Sequence, residues 1–228
     1  MISISIRQLI STINGKFIGK KFDNADFVGN FSIDTRTLKN DDIFIAIIGE
    51  RFDGNDFMEE AFKKGASFVI SSRPNINNEQ IIEVKNTNTA LQNIASFLIK
   101  KINPKIIAIT GSNGKTTTKE LASMILRNFF LDKHVLVSKG NFNNNIGLPL
   151  TILGLKKEHK YILLEMGMNR KGEIDQLCKI APPDIAVITN IGEAHIENFK
   201  SRDDIASAKK EILTGAKRKS IAILPAED

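Results

Sequence analysis

The stretch that decides the fold is "AITGSNGKTTTKE", Ala108–Glu120. An apolar run, Lys105–Ile109, leads into a glycine-bracketed turn and then into Lys115, Thr116 and Thr117. A strand, a glycine-rich turn and a helix in that order place backbone N–H groups and a helix N-terminus around anionic oxygens. Gly111, Ser112, Asn113, Gly114, Lys115, Thr116 and Thr117 are therefore the expected ATP-binding residues. Lys115 would reach the β- and γ-phosphates and the Thr116 hydroxyl would hold Mg²⁺. The spacing departs from the general G-x-x-x-x-G-K-[ST] pattern, because Ile109 stands at its first glycine. The turn alone leaves open whether the terminal phosphate goes to water, a hydroxyl or a carboxylate.

Working outward, five strands are expected in this half of the chain: Lys105–Ile109, His134–Ser138, Tyr161–Glu165, Asp184–Thr189 and Ser220–Leu224. Helical segments separate most of them, which predicts a parallel sheet with crossover helices. Ligands of open α/β sheets bind beyond the carboxyl ends of the strands. Here those ends carry Gly111–Thr116, "GNFNNNIG" (Gly140–Gly147), Glu165, and Asn190 followed by "GEAHIENF" with His195. Four consecutive polar strand ends argue for one shared site. Glu165, His195 and Thr116 together form a plausible site for hard divalent cations. In "SRDDIASAKKEIL", Ser201–Leu213, Ser201 and Asp204 resemble a capping box. Ile205, Ala208, Lys209 and Ile212 then share one helix face, while Lys210 points elsewhere. A lysine on an inward face must snorkel, pair or change its charge.

Upstream, Asp42–Ile48 reads as a buried strand and Asp56–Lys64 as a helix capped by Gly65. Phe68–Ser71 and Ile81–Val84 read as strands. Asn88–Lys100 reads as a helix, with Leu91, Ile94, Ala95 and Leu98 at helical spacing. "KKINPK", Lys100–Lys105, breaks the pattern, so the domains are placed at 1–103 and 104–228. The fold class expected is α/β: a small N-terminal α/β domain followed by a P-loop domain with a parallel sheet. "SIDTRTL", Ser32–Leu38, offers hydroxyls and Arg36 to an anion.

The 228 residues are 42% hydrophobic and 25% charged, ordinary for a globular chain with a core. The net charge of +6 is spread along the chain and suits an anionic substrate. A single cysteine, Cys178, excludes an internal disulfide and fits a reducing compartment. No apolar run approaches a membrane span, and "MISISIRQLIS" lacks the pattern of a signal peptide. A cytoplasmic monomer with no nucleic-acid or membrane partner is expected.

These residues resemble the Mur ligase family. The similarity rests on "DTRTL", "DDIFIAI", "FDGNDF", "ITGSNGKTTTKE", "GNFNNNIGLPLTIL", "EMG", "GEI", "NIGEAHIENF" and "AKKEI", in the family's order. The shortened phosphate loop is the family's own form. Asn143 and Asn144 before "IGLPL" resemble the member that joins D-alanyl-D-alanine to UDP-N-acetylmuramoyl-tripeptide. The resemblance implies that ATP phosphorylates the tripeptide carboxylate and that the dipeptide amine attacks the acyl phosphate. It implies that Ser32, Asp34, Thr35 and Arg36 lie near the uridine nucleotide and that Asn143 and Asn144 contact the muramoyl substrate. It also implies that Glu165 and His195 hold metal and that Lys209 is carbamylated, making Lys115, Lys209 and His195 the catalytic set. Departures are Asn55 in place of the usual His, Lys200 in place of Gly, and "AILPAED" without its usual Asn. The family's ATPase domain continues past the length seen here and a third domain follows, so a fragment that does not complete the reaction alone is expected. Two alternatives stand beside this reading: another Mur or folylpolyglutamate-type amide ligase, and a non-catalytic ATP-binding module.

Overall fold

The computed structural model describes residues 4–19, 26–27, 30–49, 52–74, 80–193 and 196–226. The chain divides between Phe97 and Leu98 into two compact units. Its elements are β1 (Ile4–Ser5), α1 (Ile6–Thr12), β2 (Lys16–Ile18), β3 (Asp26–Phe27), β4 (Phe31–Ser32), β5 (Ile43–Ile45), α2 (Met58–Lys63), β6 (Phe68–Ser71), β7 (Ile81–Glu83) and α3 (Thr87–Ile102). These are followed by β8 (Lys105–Thr110), α4 (Lys115–Phe129), β9 (Val135–Val137), α5 (Gly147–Leu153), β10 (Tyr161–Glu165), α6 (Glu173–Ile180), β11 (Ile185–Ile188), α7 (Arg202–Thr214) and β12 (Ile221–Ile223).

The first unit holds a five-stranded sheet of order β2-β7-β6-β5-β4. β2 runs antiparallel to β7 and the other pairs are parallel. Parallel strands buried on both faces read as continuous apolar runs. Accordingly Ile43, Phe44 and Ile45 of β5 and Val69 and Ile70 of β6 are buried. Phe44 and Val69 pack with Leu38, Ala46, Met58, Ala61 and Ala66.

Two elements of the first unit depart most from the sequence reading. The strand expected over Asp42–Ile48 is paired in the sheet only through Ile45. Beyond it the chain turns back on itself: Ile48 bridges Asp53, and the Gly54 N–H donates to Ile47 O at 2.9 Å. The helix expected from Asp56 opens instead as a 3₁₀ turn, Gly54–Phe57, because the Asp53 carboxylate accepts the Asn55 N–H. The α-helix then starts at Met58.

The second unit is a wholly parallel sheet of order β12-β11-β8-β10-β9. β8 is central, with Ala108 opposite both Leu164 of β10 and Ala186 of β11. After β8 the chain crosses to β9, returns to β10, and then passes to the other side as β11. The strand order therefore reverses beside β8, the place where such sheets leave a crevice for ligands. β12 forms one edge, with Ile221 and Ile223 exposed.

Candidate functional site

The turn after β8 is shaped by two glycines at positive φ, Gly111 at +151° and Gly114 at +77°. A Cβ on Gly111 would overlap the Thr189 hydroxyl, so only glycine fits there. Gly114 precedes α4 and brings no capping side chain. The N–H groups of the first helical turn have no intrahelical acceptor, and with the helix dipole they form an anion seat. The Lys115 ammonium folds back over this seat and donates to Gly111 O at 2.7 Å and Ser112 O at 3.2 Å. Burial pushes its pKa down, opposed by the Glu165 carboxylate.

Glu165, at the end of β10, is buried. One carboxylate oxygen, Oε2, accepts the Thr116 hydroxyl at 2.8 Å, and the other, Oε1, accepts the Asn143 amide at 2.9 Å. Thr116 Oγ1 and Glu165 Oε2 are thus a close pair of hard oxygen donors. Oxygens at adjacent corners of a Mg²⁺ octahedron lie about 2.9 Å apart, given metal–oxygen distances of about 2.0–2.1 Å. The observed 2.8 Å separation fits that edge. Among the described residues no three of His, Cys, Asp and Glu cluster as a metal cage. Mg²⁺ takes one or two carboxylates and completes its shell with phosphate and water.

Behind Glu165 stands a residue that the sequence reading missed. Lys119 is 0% exposed, one turn beyond Thr116. Its ammonium donates to Ser138 O at 2.8 Å, lies 3.2 Å from Glu120 and sits 4.0 Å from Glu165 Oε2. The Ser138 hydroxyl in turn accepts the Glu165 N–H at 3.1 Å. The two asparagines separate in role. Asn143 reaches Glu165, and its backbone carbonyl accepts the Gly167 N–H at 2.8 Å. Asn144 turns instead to the chain entering α5, its Oδ1 accepting from Ile146 N at 3.1 Å and Gly147 N at 2.8 Å.

Ser201 caps α7 by accepting the Asp204 N–H. Lys209 is buried, 2% exposed, beside Ile205, Ala208 and Ile212, and Lys210 is exposed. Burial first, and the Lys115 ammonium second, push the Lys209 pKa down to about 8. No hydrogen-bond partner for the Lys209 ammonium occurs among the described residues. The helix is anchored by Glu211, whose carboxylate accepts the N–H groups of Gly172 at 2.7 Å and Asp175 at 3.1 Å. His195 lies outside the described residues.

In the first unit, Ser32, Asp34, Thr35 and Arg36 form one turn. The Ser32 hydroxyl donates to Asp34 O at 2.9 Å. Arg36 forks onto the Asp34 carboxylate, Nε at 2.9 Å and Nη2 at 2.6 Å, and its hydrogen bonds bring the Asp34 pKa down to about 2. Arg36 itself stays exposed. Thr35 is buried, and its carbonyl accepts the Lys64 ammonium at 3.0 Å. Asn55 is also buried, held between Asp53 Oδ1 and the Ser71 hydroxyl.

Two family models match. The Mur ligase family catalytic domain covers residues 28–111, and the Mur ligase middle domain covers residues 109–228. The UDP-N-acetylmuramoyl-tripeptide–D-alanyl-D-alanine ligase of Bacillus subtilis is 41% identical over 226 residues, 98% of this chain and 49% of the relative. The corresponding ligase of Haemophilus influenzae is 39% identical over 230 residues, 100% of this chain and 50% of the relative. A crystal structure of MurF from Acinetobacter baumannii superposes with a TM-score of 0.91 at 35% identity, covering 100% of this chain and 50% of that one. MurF from Thermotoga maritima in complex with ADP gives 0.81 at 38% identity, covering 89% of this chain and 47% of that one. The chain spans about half the length of the curated relatives it matches. Two models that together run from residue 28 to 228, on a chain whose phosphate loop opens onto a buried glutamate, settle the kinship: this chain belongs to the Mur ligase family.

Proposed function

We propose that this chain carries the ATP site and the uridine-nucleotide site of a ligase that joins D-alanyl-D-alanine to UDP-N-acetylmuramoyl-tripeptide in peptidoglycan precursor synthesis. ATP transfers its γ-phosphoryl group to the C-terminal carboxylate of the tripeptide. The amine of the dipeptide then attacks the acyl phosphate, an amide forms and inorganic phosphate leaves. The N–H groups of Gly114–Thr117 and the Lys115 ammonium hold the phosphates, Lys115 leaving the loop carbonyls it now covers. Thr116 and Glu165 hold Mg²⁺, joined by His195 and by Lys209 as its carbamate. The metal supplies neutralisation of the charge that develops on the transferring phosphoryl oxygens. Asn143 steadies the Glu165 carboxylate from the substrate side, and Ser32, Asp34, Thr35 and Arg36 form the uridine-nucleotide turn.

The observation that carries this reading is the Thr116–Glu165 oxygen pair set against an uncapped helix N-terminus. The relatives' names supply the substrates. No helix among the described residues is long and apolar enough to cross a membrane, and a cytoplasmic location follows from the proposed substrates. The test is titration of the purified chain with ATP and Mg²⁺, and separately with the UDP-linked tripeptide. Saturable ATP binding that Lys115→Ala abolishes is expected, as is binding of the tripeptide in preference to the UDP-linked dipeptide. A folded chain that binds no ATP sinks the nucleotide site, and one that prefers the dipeptide sinks the substrate assignment.

A further inference from the structure

The chain leaving β11 runs along the phosphate loop and is stitched to it. Ser112 N–H donates to Asn190 O at 3.1 Å, and Asn113 N–H donates to Asn190 Oδ1 at 2.9 Å. The Thr189 hydroxyl donates to Asn113 O at 2.5 Å. The Ser112 hydroxyl both donates to Gly192 O at 2.9 Å and accepts the Gly192 N–H at 2.8 Å. One residue, Asn190, thus occupies two consecutive backbone donors of a loop whose donors are its means of binding phosphate.

We propose that Asn190 is a positioning residue that apportions the phosphate loop's N–H groups, occupying those of Ser112 and Asn113 and leaving those of Gly114–Thr117 for the nucleotide. This rests on the nucleotide reading above. Without the Asn190 amide, the Asn113 N–H is unpaired and the loop is free to rotate it toward the phosphates, which loosens the single arrangement that places the downstream donors. The same segment extends the effect to α7, because Arg202 Nε donates to Ile191 O at 2.8 Å. A bound phosphate and the Lys209 helix therefore meet through two residues, Asn190 and Ile191.

Asn190→Ala and Asn190→Asp separate this role from a merely structural one. The alanine removes one neutral hydrogen bond, so ADP affinity should fall about 3- to 10-fold. The aspartate keeps an acceptor for the Asn113 N–H but places a negative charge beside the phosphate seat. Its ADP affinity should fall about 10-fold further, while its melting temperature stays close to that of the unaltered chain. Affinity should thus rank Asn above Ala above Asp, and stability should rank Asn with Asp above Ala. The measurement is ADP titration with and without Mg²⁺, beside thermal unfolding of each variant. Affinities that simply follow stability, with aspartate binding as well as asparagine, overturn the assignment, and the aspartate variant decides even if the alanine variant does not fold. Failure of the unaltered chain to bind ADP is a different result, and it removes the nucleotide reading itself.

Discussion

Replacing Lys209 with methionine should make the chain more stable at neutral pH while removing a group that the proposed reaction needs. The side chain is 2% exposed and its pKa falls from 10.5 to about 8 through burial and the neighbouring Lys115 ammonium. A drop of that size corresponds to roughly 3 kcal/mol against holding the charged form in the folded state. A protein interior still screens a buried charge in part, which brings the expected effect to about 2 kcal/mol. Methionine keeps the length of the stem and its packing against Ile205 and Ile212, so little is lost in exchange.

The sign with pH follows from proton counts. Between about pH 8 and 10.5 the unfolded chain holds more protons on this lysine than the folded chain does, so stability of the unaltered protein rises with pH in that window. The advantage of Lys209→Met is therefore fully present below about pH 8 and fades as pH climbs toward 10.5. Urea unfolding at pH 7 and at pH 10, in carbonate-free buffer, measures it. Adding bicarbonate should narrow the gap from the other side, since a carbamate replaces the buried ammonium only where the lysine is present. A methionine variant less stable than the parent at pH 7, or an advantage that does not change with pH, would refute the reasoning.

Two further substitutions probe the same site. Gly111→Ala forces a Cβ onto the Thr189 hydroxyl at a φ of +151°; a loss of about 2 kcal/mol or more is expected, partly recovered in the Gly111→Ala/Thr189→Ala double variant, and thermal unfolding that shows no recovery would assign the loss to backbone conformation alone. Lys119→Met strips the donor from Ser138 O and the counter-charge 4.0 Å from Glu165 Oε2; a loss of about 2–4 kcal/mol by urea unfolding is expected, with Lys119→Arg milder, and a change below about 1 kcal/mol would mean the buried ammonium is not what balances Glu165.

What could be read in the sequence was what repeats with a period or closes a turn. The apolar runs that became β8, β9, β10 and β11 stand one after another with room for a crossover helix in each interval, and a glycine turn before Lys115 has few structural uses other than a phosphate seat. Lys209 was legible because helical spacing alone puts it with Ile205, Ala208 and Ile212. Other features depend on pairings between distant segments. Nothing near residue 190 in the chain indicates that Asn190 will meet Asn113, because the hydrogen bond spans 77 positions and exists only once β11 lies beside β8. "NNN" reads as a run of equivalent polar residues. Only the fold divides it into Asn143 on Glu165 and Asn144 on the N-terminus of α5. In the first unit, the strand expected to reach Ile48 stops early because the Ile48–Asp53 bridge competes with the sheet for the same backbone.

Helix α4 shows most clearly why the rest was hidden. Taken by hydrophobicity alone, its face of Leu121, Met124, Ile125 and Phe129 belongs in the core. In the structure those side chains are exposed, Phe129 at 78%, and the residues turned inward are Lys119 and Ser123. The helix is fixed in this orientation by its first turn. Lys115 is tied to Gly111 O and Ser112 O and Thr116 to Glu165, and a rigid helix carries that phase forward, so Lys119, four residues after Lys115, turns inward. There the buried ammonium has a carbonyl and carboxylates to meet, which is the condition under which a charge tolerates burial. Rotating α4 to bury Leu121 and Ile125 would gain apolar area but would take Thr116 away from Glu165 and leave Ser138 O without its donor. The site's polar contacts set the helix phase, and the apolar stripe is left facing outward as a consequence.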